Sequence, residues 1–208
     1  MENMKNDALE PDVNAETEKK QNVAKSVLSA MHDLSYLLAV VLVLLLLVFR
    51  IVVVSGSSMK DTLINGDYIF LLNNIFCGDY ETGDVIVASK ESFKDGEPII
   101  KRVIATEGQT VTVEKASGKV YVDGKLLDEP YLNPQYIQNN FESVQEFVVE
   151  PGCLFVMGDN RNSSLDSRSE RIGQIDTRQI LGKAIMLFAP GKDPVTGERD
   201  LGRIGGID

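Results

Sequence analysis

Val54-Ser55-Gly56-Ser57-Ser58-Met59-Lys60-Asp61-Thr62-Leu63 marks the point where a long apolar run ends and a chain of short β-type segments begins. The reading of this junction decides the fold. Upstream, residues 36–54 read Tyr-Leu-Leu-Ala-Val-Val-Leu-Val-Leu-Leu-Leu-Leu-Val-Phe-Arg-Ile-Val-Val-Val. As a helix this run would be roughly 28 Å long, enough to cross a bilayer core of about 30 Å. Its one charge, Arg50, lies near the end, where a long side chain reaches the interface. The run is longer than the about 7–15 apolar residues of a secretory signal and has no Ala-x-Ala exit, so it reads as an uncleaved anchor. Lys19, Lys20 and Lys25 precede it, whereas only Lys60 follows within about 20 residues. That bias places the N-terminus in the cytoplasm and the remainder outside. The expected organisation is a polar cytoplasmic tail over residues 1–35, a single transmembrane helix over 36–54 and an extracytoplasmic domain over 55–208.

Downstream of the junction, Gly-Asp pairs at 66–67 and 83–84 precede Tyr68–Leu72 and Val85–Ser89, a turn-then-strand pattern. Further strands are predicted at 99–106, 110–114, 119–122, 125–127, 147–149, 154–157 and 180–188, with Asp123-Gly124 as a hairpin turn. The domain is therefore expected to be mainly β. Residues 130–143, rich in Asn, Gln and aromatic side chains, read as a loop, and the Gly-rich stretch 190–208 reads as a loosely ordered end.

Composition removes several kinds of chemistry. The net charge of −10 argues against a nucleic-acid partner, which would need a basic patch. The single histidine, His32, precedes the apolar run, so the outer domain has no Ser-His-Asp triad. Two distant cysteines, Cys77 and Cys153, form neither a disulfide framework nor, without a local histidine, a zinc site. They read as small buried hydrophobes, with a single bridge as the alternative. No metal and no cofactor is expected.

A serine after residue 54 must then use Lys, Asp or Glu as its base. Lys101 stands out in Ile99-Ile100-Lys101-Arg102-Val103-Ile104. In a strand Lys101 shares a face with Ile99 and Val103, and Arg102 shares the other with Ile100 and Ile104, so one of the two cations faces the core side. A free lysine titrates near about 10.4 and a useful base near about 7–8, a gap worth about 4 kcal/mol that burial among apolar groups can supply.

Three stretches in this order, Gly56 to Leu63, Lys101-Arg102, and Gly158-Asp159-Asn160-Arg161-Asn162-Ser163-Ser164-Leu165-Asp166-Ser167-Arg168, closely resemble the boxes of the type I signal peptidases, most nearly the Gram-positive members. These are membrane-anchored Ser-Lys endopeptidases of bacteria, and the resemblance covers most of residues 36–188. It implies an all-β catalytic domain with a Ser-Lys dyad: Ser58 as nucleophile, Lys101 as general base, Ser164 as the hydroxyl that orients the lysine, and Asp166 paired with Arg168 as support. It further implies that Met59, Leu63 and Ile100 line the pocket for the −1 residue of a precursor, with Val54 and Ile100 near the −3 pocket. The expected partners are secretory precursors with small residues at −1 and −3, and the lipid bilayer.

Two positions depart from the family pattern. Asp61 stands where the family usually has Pro, which loosens the turn after the nucleophile without removing a reacting group. Gly56 stands where some members carry a serine that helps bind the oxyanion, so the Ser58 backbone N–H must do more of that work. Two other functions fit parts of the chain. Ser57-Ser58-Met59-Lys60 matches the S-x-x-K of penicillin-binding proteins, but Ser-Asp-Asn and Lys-Thr-Gly are missing. A membrane-anchored β-domain that binds precursors without cleaving them is the other alternative.

Overall fold

The computed structural model describes residues 13–90, 96–114, 116–133 and 144–207. Two compact units divide at Leu46/Leu47. The first holds most of a helix, α1 (Val13–Val48), whose stretch Gln21–Val48 contains an 18-residue window with a mean hydropathy of 2.3 and is long and apolar enough to cross a membrane. The helix thus begins well before residue 36, because Val23–Asp33 contains no Pro or Gly to interrupt it.

It also ends earlier than expected. Phe49–Val53 is a strand, β1, paired antiparallel with β2 (Tyr68–Asn73) from Phe49↔Leu72 to Val53↔Tyr68. The predicted helix over 36–54 therefore overruns by six residues. An unbroken apolar run carries no periodicity that separates helix from strand, and here the β-branched Ile51, Val52 and Val53 find a partner strand.

The second unit is mainly β. Its larger sheet has the order β1-β2-β11-β3-β4-β9-β10, with β12 paired to β11, and all its pairings are antiparallel. The further strands are β3 (Val85–Ala88), β4 (Ile99–Ala105), β9 (Cys153–Met157), β10 (Ile175–Asp176), β11 (Ile180–Ala189) and β12 (Gly205–Gly206). A smaller sheet runs β7-β6-β5-β8, from β5 (Thr110–Glu114), β6 (Val120–Val122), β7 (Lys125–Leu126) and β8 (Val144–Val148). β1, β10 and β12 were not expected from the sequence, whereas the remaining strands fall close to their expected places. Most of the predicted loop over 130–143 lies outside the described residues.

One core cluster ties the junction to the large sheet: Val54, Met59 and Leu63 pack with Ile69, Leu71, Val85, Val87, Ala184 and Leu187. The chain end is fixed rather than loose. Asp67 is fully buried, and its carboxylate accepts from Gly191 N at 2.7 Å, from Arg203 Nη1 at 3.0 Å and from Arg203 Nη2 at 2.7 Å. Arg203 Nη2 also donates to the Thr62 carbonyl at 3.1 Å. The C-terminal segment is therefore strapped onto the turn that follows Ser58. Cys77 and Cys153 are both free thiols and half-buried.

Candidate active site

Three segments converge, and the strand register explains why. β4 lies between β3 and β9, with Lys101 opposite Ile86, and Arg102 opposite Val85 on one side and Met157 on the other. Met157 ends β9, so the polar run beginning at Gly158 emerges beside Arg102. The junction then closes onto that run: Asn160 N donates to Ser58 O at 2.9 Å, and Asn160 Nδ2 donates to Ser57 O at 3.1 Å. Gly158 is required by this close approach. A Cβ built there would sit 2.3 Å from Ser164 Oγ and 2.5 Å from Ser58 O.

Both cations of the Lys-Arg pair are buried, Lys101 at 4% exposed and Arg102 at 0%, where the alternation had put only one toward the core. Their surroundings differ. Arg102 Nε and Nη2 donate to the two carboxylate oxygens of Asp159 at 3.0 and 2.9 Å, Nη1 donates to Gly83 O at 2.8 Å, and the Tyr131 ring covers the guanidinium at 3.9 Å. Asp159 also accepts from Thr62 Oγ1 at 2.5 Å. Lys101 Nζ instead lies 2.9 Å from Ser58 Oγ and donates to Ile100 O at 2.9 Å. Neither of these partners is a carboxylate. Burial lowers the Lys101 pKa to about 8, against an opposing pull from the negative charges of Asp166 and Asp159, while Arg168 lowers it further.

Asp166 is buried, which by itself opposes ionisation. Arg168 outweighs that with Nε and Nη2 donating at 2.8 Å each, Gly158 N adds a bond at 3.0 Å, and the carboxyl is held below its ordinary value. Ser164 lies close enough to favour the ionised carboxyl, yet its Oγ is buried without a partner in hydrogen-bonding geometry. The contact from Ser164 to the Lys101 amine implied by the family resemblance is thus not formed, because the hydroxyl packs against Gly158 and beside Asp166.

A cleft of about 460 Å³ opens over Ser58 and Lys101, with Val52, Val54, Met59 and Ile100 among its walls and Gly56 on its lining. Leu63 is 0% exposed and belongs to the core beneath rather than to the cleft wall. Gly56 adopts φ +95° and donates its N–H to Asn65 Oδ1 at 3.1 Å. Asp61 is held by Asn133, whose Nδ2 donates to Asp61 Oδ2 at 2.6 Å.

Asp159, Asn160, Thr62, Tyr131 and Glu129 were not singled out from the sequence. Arg161 pairs with Glu129, which also accepts from Tyr131 OH at 2.8 Å. Asp159 and Asn160 lie in the polar box 158–168, which marked their neighbourhood but not their partners. Nothing local pointed to Glu129 or Tyr131.

Ser58 Oγ and the buried Lys101 amine thus meet within one cleft of a mainly β unit. Residues 27–189 match the family described as "Signal peptidase, peptidase S26". The chain is 33% identical over 182 residues to signal peptidase I S of Bacillus subtilis (strain 168), spanning 83% of this chain and 95% of that protein. It is 36% identical over 169 residues to signal peptidase I of Bacillus caldolyticus, spanning 74% and 86% respectively. A solved signal peptidase I from Enterococcus faecalis V583 shares 27% identity, with a TM-score of 0.41 over 51% of this chain and 97% of that one. The chain belongs to the signal peptidase family, and it is a serine endopeptidase that removes signal peptides from secretory precursors.

Proposed function

We propose that Ser58 is the nucleophile and Lys101 the general base of this peptidase. The observation that carries the assignment is the 2.9 Å contact between Ser58 Oγ and a lysine amine that is buried, has no carboxylate partner among the described residues, and has its pKa lowered to about 8. The neutral amine commits one N–H to Ile100 O, leaving its lone pair to receive the Ser58 proton. Ser58 Oγ then attacks the scissile carbonyl. The Ser58 backbone N–H stabilises the resulting oxyanion. Collapse breaks the peptide bond, with the Lys101 ammonium returning its proton to the departing amine of the mature protein. A water deprotonated by Lys101 next attacks the acyl carbon, releasing the signal peptide as a carboxylic acid and restoring Ser58.

Ser164 supports Lys101 indirectly in this reading, by packing on Gly158 beside Asp166, which Arg168 holds ionised. The cleft walls Val54, Met59 and Ile100 suit small residues at −1 and −3, and Leu63 sets the depth of the floor from the core. α1 anchors the enzyme, with Lys19, Lys20 and Lys25 on the cytoplasmic side and the β unit outside. Tyr68, Ile51 and Val53, exposed near the junction, suit a location at the lipid surface.

Precursor cleavage by the full chain in detergent or lipid tests the assignment. Ser58→Ala and Lys101→Ala are each expected to abolish it, and Lys60→Ala to leave it, because the amine that meets Ser58 is that of Lys101. Cleavage retained in Lys101→Ala would overturn the dyad.

A further inference from the structure

Because Gly56 brings no hydroxyl, more of the oxyanion stabilisation falls to one backbone donor, the Ser58 N–H. A single donor is useful only if it is aimed before the reaction, and a peptide N–H has no rotamer of its own. Its direction is set by the peptide plane, in which a trans bond points the N–H of one residue opposite to the C=O of the residue before it. The Ser57 carbonyl therefore dictates where the Ser58 N–H points.

That carbonyl is held twice. Lys60 N donates to Ser57 O at 3.2 Å within the local turn, and Asn160 Nδ2 donates to it at 3.1 Å from the far side of the site. Asn160 N also holds the next carbonyl, Ser58 O, at 2.9 Å. The Ser57–Ser58 peptide is thereby fixed from outside its own loop by one residue. Asn160 is 6% exposed, and its neighbour Asp159 is locked to Arg102 at 3.0 and 2.9 Å, so the anchor is rigid. The turn bond from Lys60 cannot do this alone, since it moves with the loop that it closes.

We propose that Asn160 is a positioning residue of the peptidase: its side-chain amide sets the plane of the Ser57–Ser58 peptide and so aims the Ser58 N–H at the oxyanion. This rests on Ser58 being the nucleophile. The Asn160 amide meets the Ser57 carbonyl rather than Ser58 Oγ or Lys101 Nζ, and its effect is confined to the tetrahedral stage. Loss of an oxyanion donor costs about 10²- to 10³-fold in kcat, and loss of aim should cost less, roughly 10- to 100-fold.

The test uses the full chain in detergent micelles with a precursor peptide, and compares Asn160→Ala, Asn160→Asp and Asn160→Gln with the unaltered enzyme. The folded fraction is counted by end-point labelling of Ser58. The expected result for Ala and Asp is a kcat lowered roughly 10- to 100-fold, KM within about twofold and an unshifted acid limb of the pH profile. A peptide aldehyde, which forms a tetrahedral adduct on Ser58, should lose affinity by the same factor as kcat/KM, while an uncleavable peptide of the same sequence binds as before. Gln, which keeps the donor on a longer stem, should recover part of kcat. Unchanged kcat, or equal loss for aldehyde and uncleavable peptide, would overturn the proposal. If Ala and Asp do not fold, Gln decides alone, by whether its loss of kcat is matched in the aldehyde and spared in the uncleavable peptide. Cleavage by Ser58→Ala would instead overturn the nucleophile assignment, a failure distinguishable from this one.

Discussion

Lys101 and Arg102 are adjacent on one strand, both cationic in origin and both buried, yet their surroundings treat them in opposite ways. On the Arg102 face a carboxylate, a carbonyl and an aromatic ring surround the guanidinium. On the Lys101 face the amine meets, among the described residues, a hydroxyl and its neighbour's carbonyl. Pairing turns a buried cation into a structural tie, and withholding the partner suits one to the proposed role of base. The alternation of a strand lets the two outcomes sit on consecutive residues. It also links them, since the Arg102–Asp159 pair fixes the run from which Asn160 reaches the serine loop.

The largest expected effect comes from Lys101→Met. Cleavage should fall about 10⁴-fold or more, as for loss of a member of a catalytic set. Thermal unfolding at pH 7 should show a more stable protein. The sign follows from linkage: Lys101 titrates near 8 when folded and near 10.5 when unfolded, so stability rises with pH across that window and the full penalty applies below it. Removing the amine relieves up to about 3 kcal/mol. Arg102→Met should do the reverse. It strands Asp159 in a buried site, costing about 3–5 kcal/mol in a denaturant titration, and kcat of the folded fraction should fall as well, because Asn160 loses its anchor.

Gly158→Ala comes next. Its methyl meets Ser164 Oγ at 2.3 Å and the Ser58 carbonyl at 2.5 Å, so the serine loop must shift. Misplacement on the scale of 1 Å should lower kcat about 10²-fold with little change in the acid limb. The smallest effect is electrostatic. Asp166 raises the Lys101 pKa, so Asp166→Asn should move the acid limb of kcat/KM to lower pH in a pH-rate series. A limb moving to higher pH would mean that Asp166 acts on something other than the Lys101 charge.

How much of this was legible beforehand follows the range of the interactions. The strands after Gly66-Asp67 and Gly83-Asp84 announced themselves through turn residues a few positions away, and the Ser58–Lys101 pairing was reached by excluding histidine and by the family's boxes. β1 was hidden because Ile51-Val52-Val53 continues the hydropathy of α1, and only its partner β2 distinguishes the two. The strap at the chain end was hidden because its stability lies in Arg203 meeting Asp67 across 136 positions, within a stretch whose local composition suggests disorder. Leu63 and Ser164 were placed in the right neighbourhood, but their packing against the core and against Gly158 is a tertiary fact. Neither cation's environment could be read from β4 alone, since Asp159 arrives from the end of β9.

The contrast between the two cations is tested most directly by the charge of Lys101 itself. Heteronuclear NMR of the lysine side chains in the full chain, titrated in detergent and assigned against Lys101→Met, reports that charge without relying on turnover. A Lys101 resonance titrating near pH 8, well below the other lysines, is the expected result. A Lys101 that stays protonated to about pH 10, as an ordinary lysine does, would contradict its role as the base.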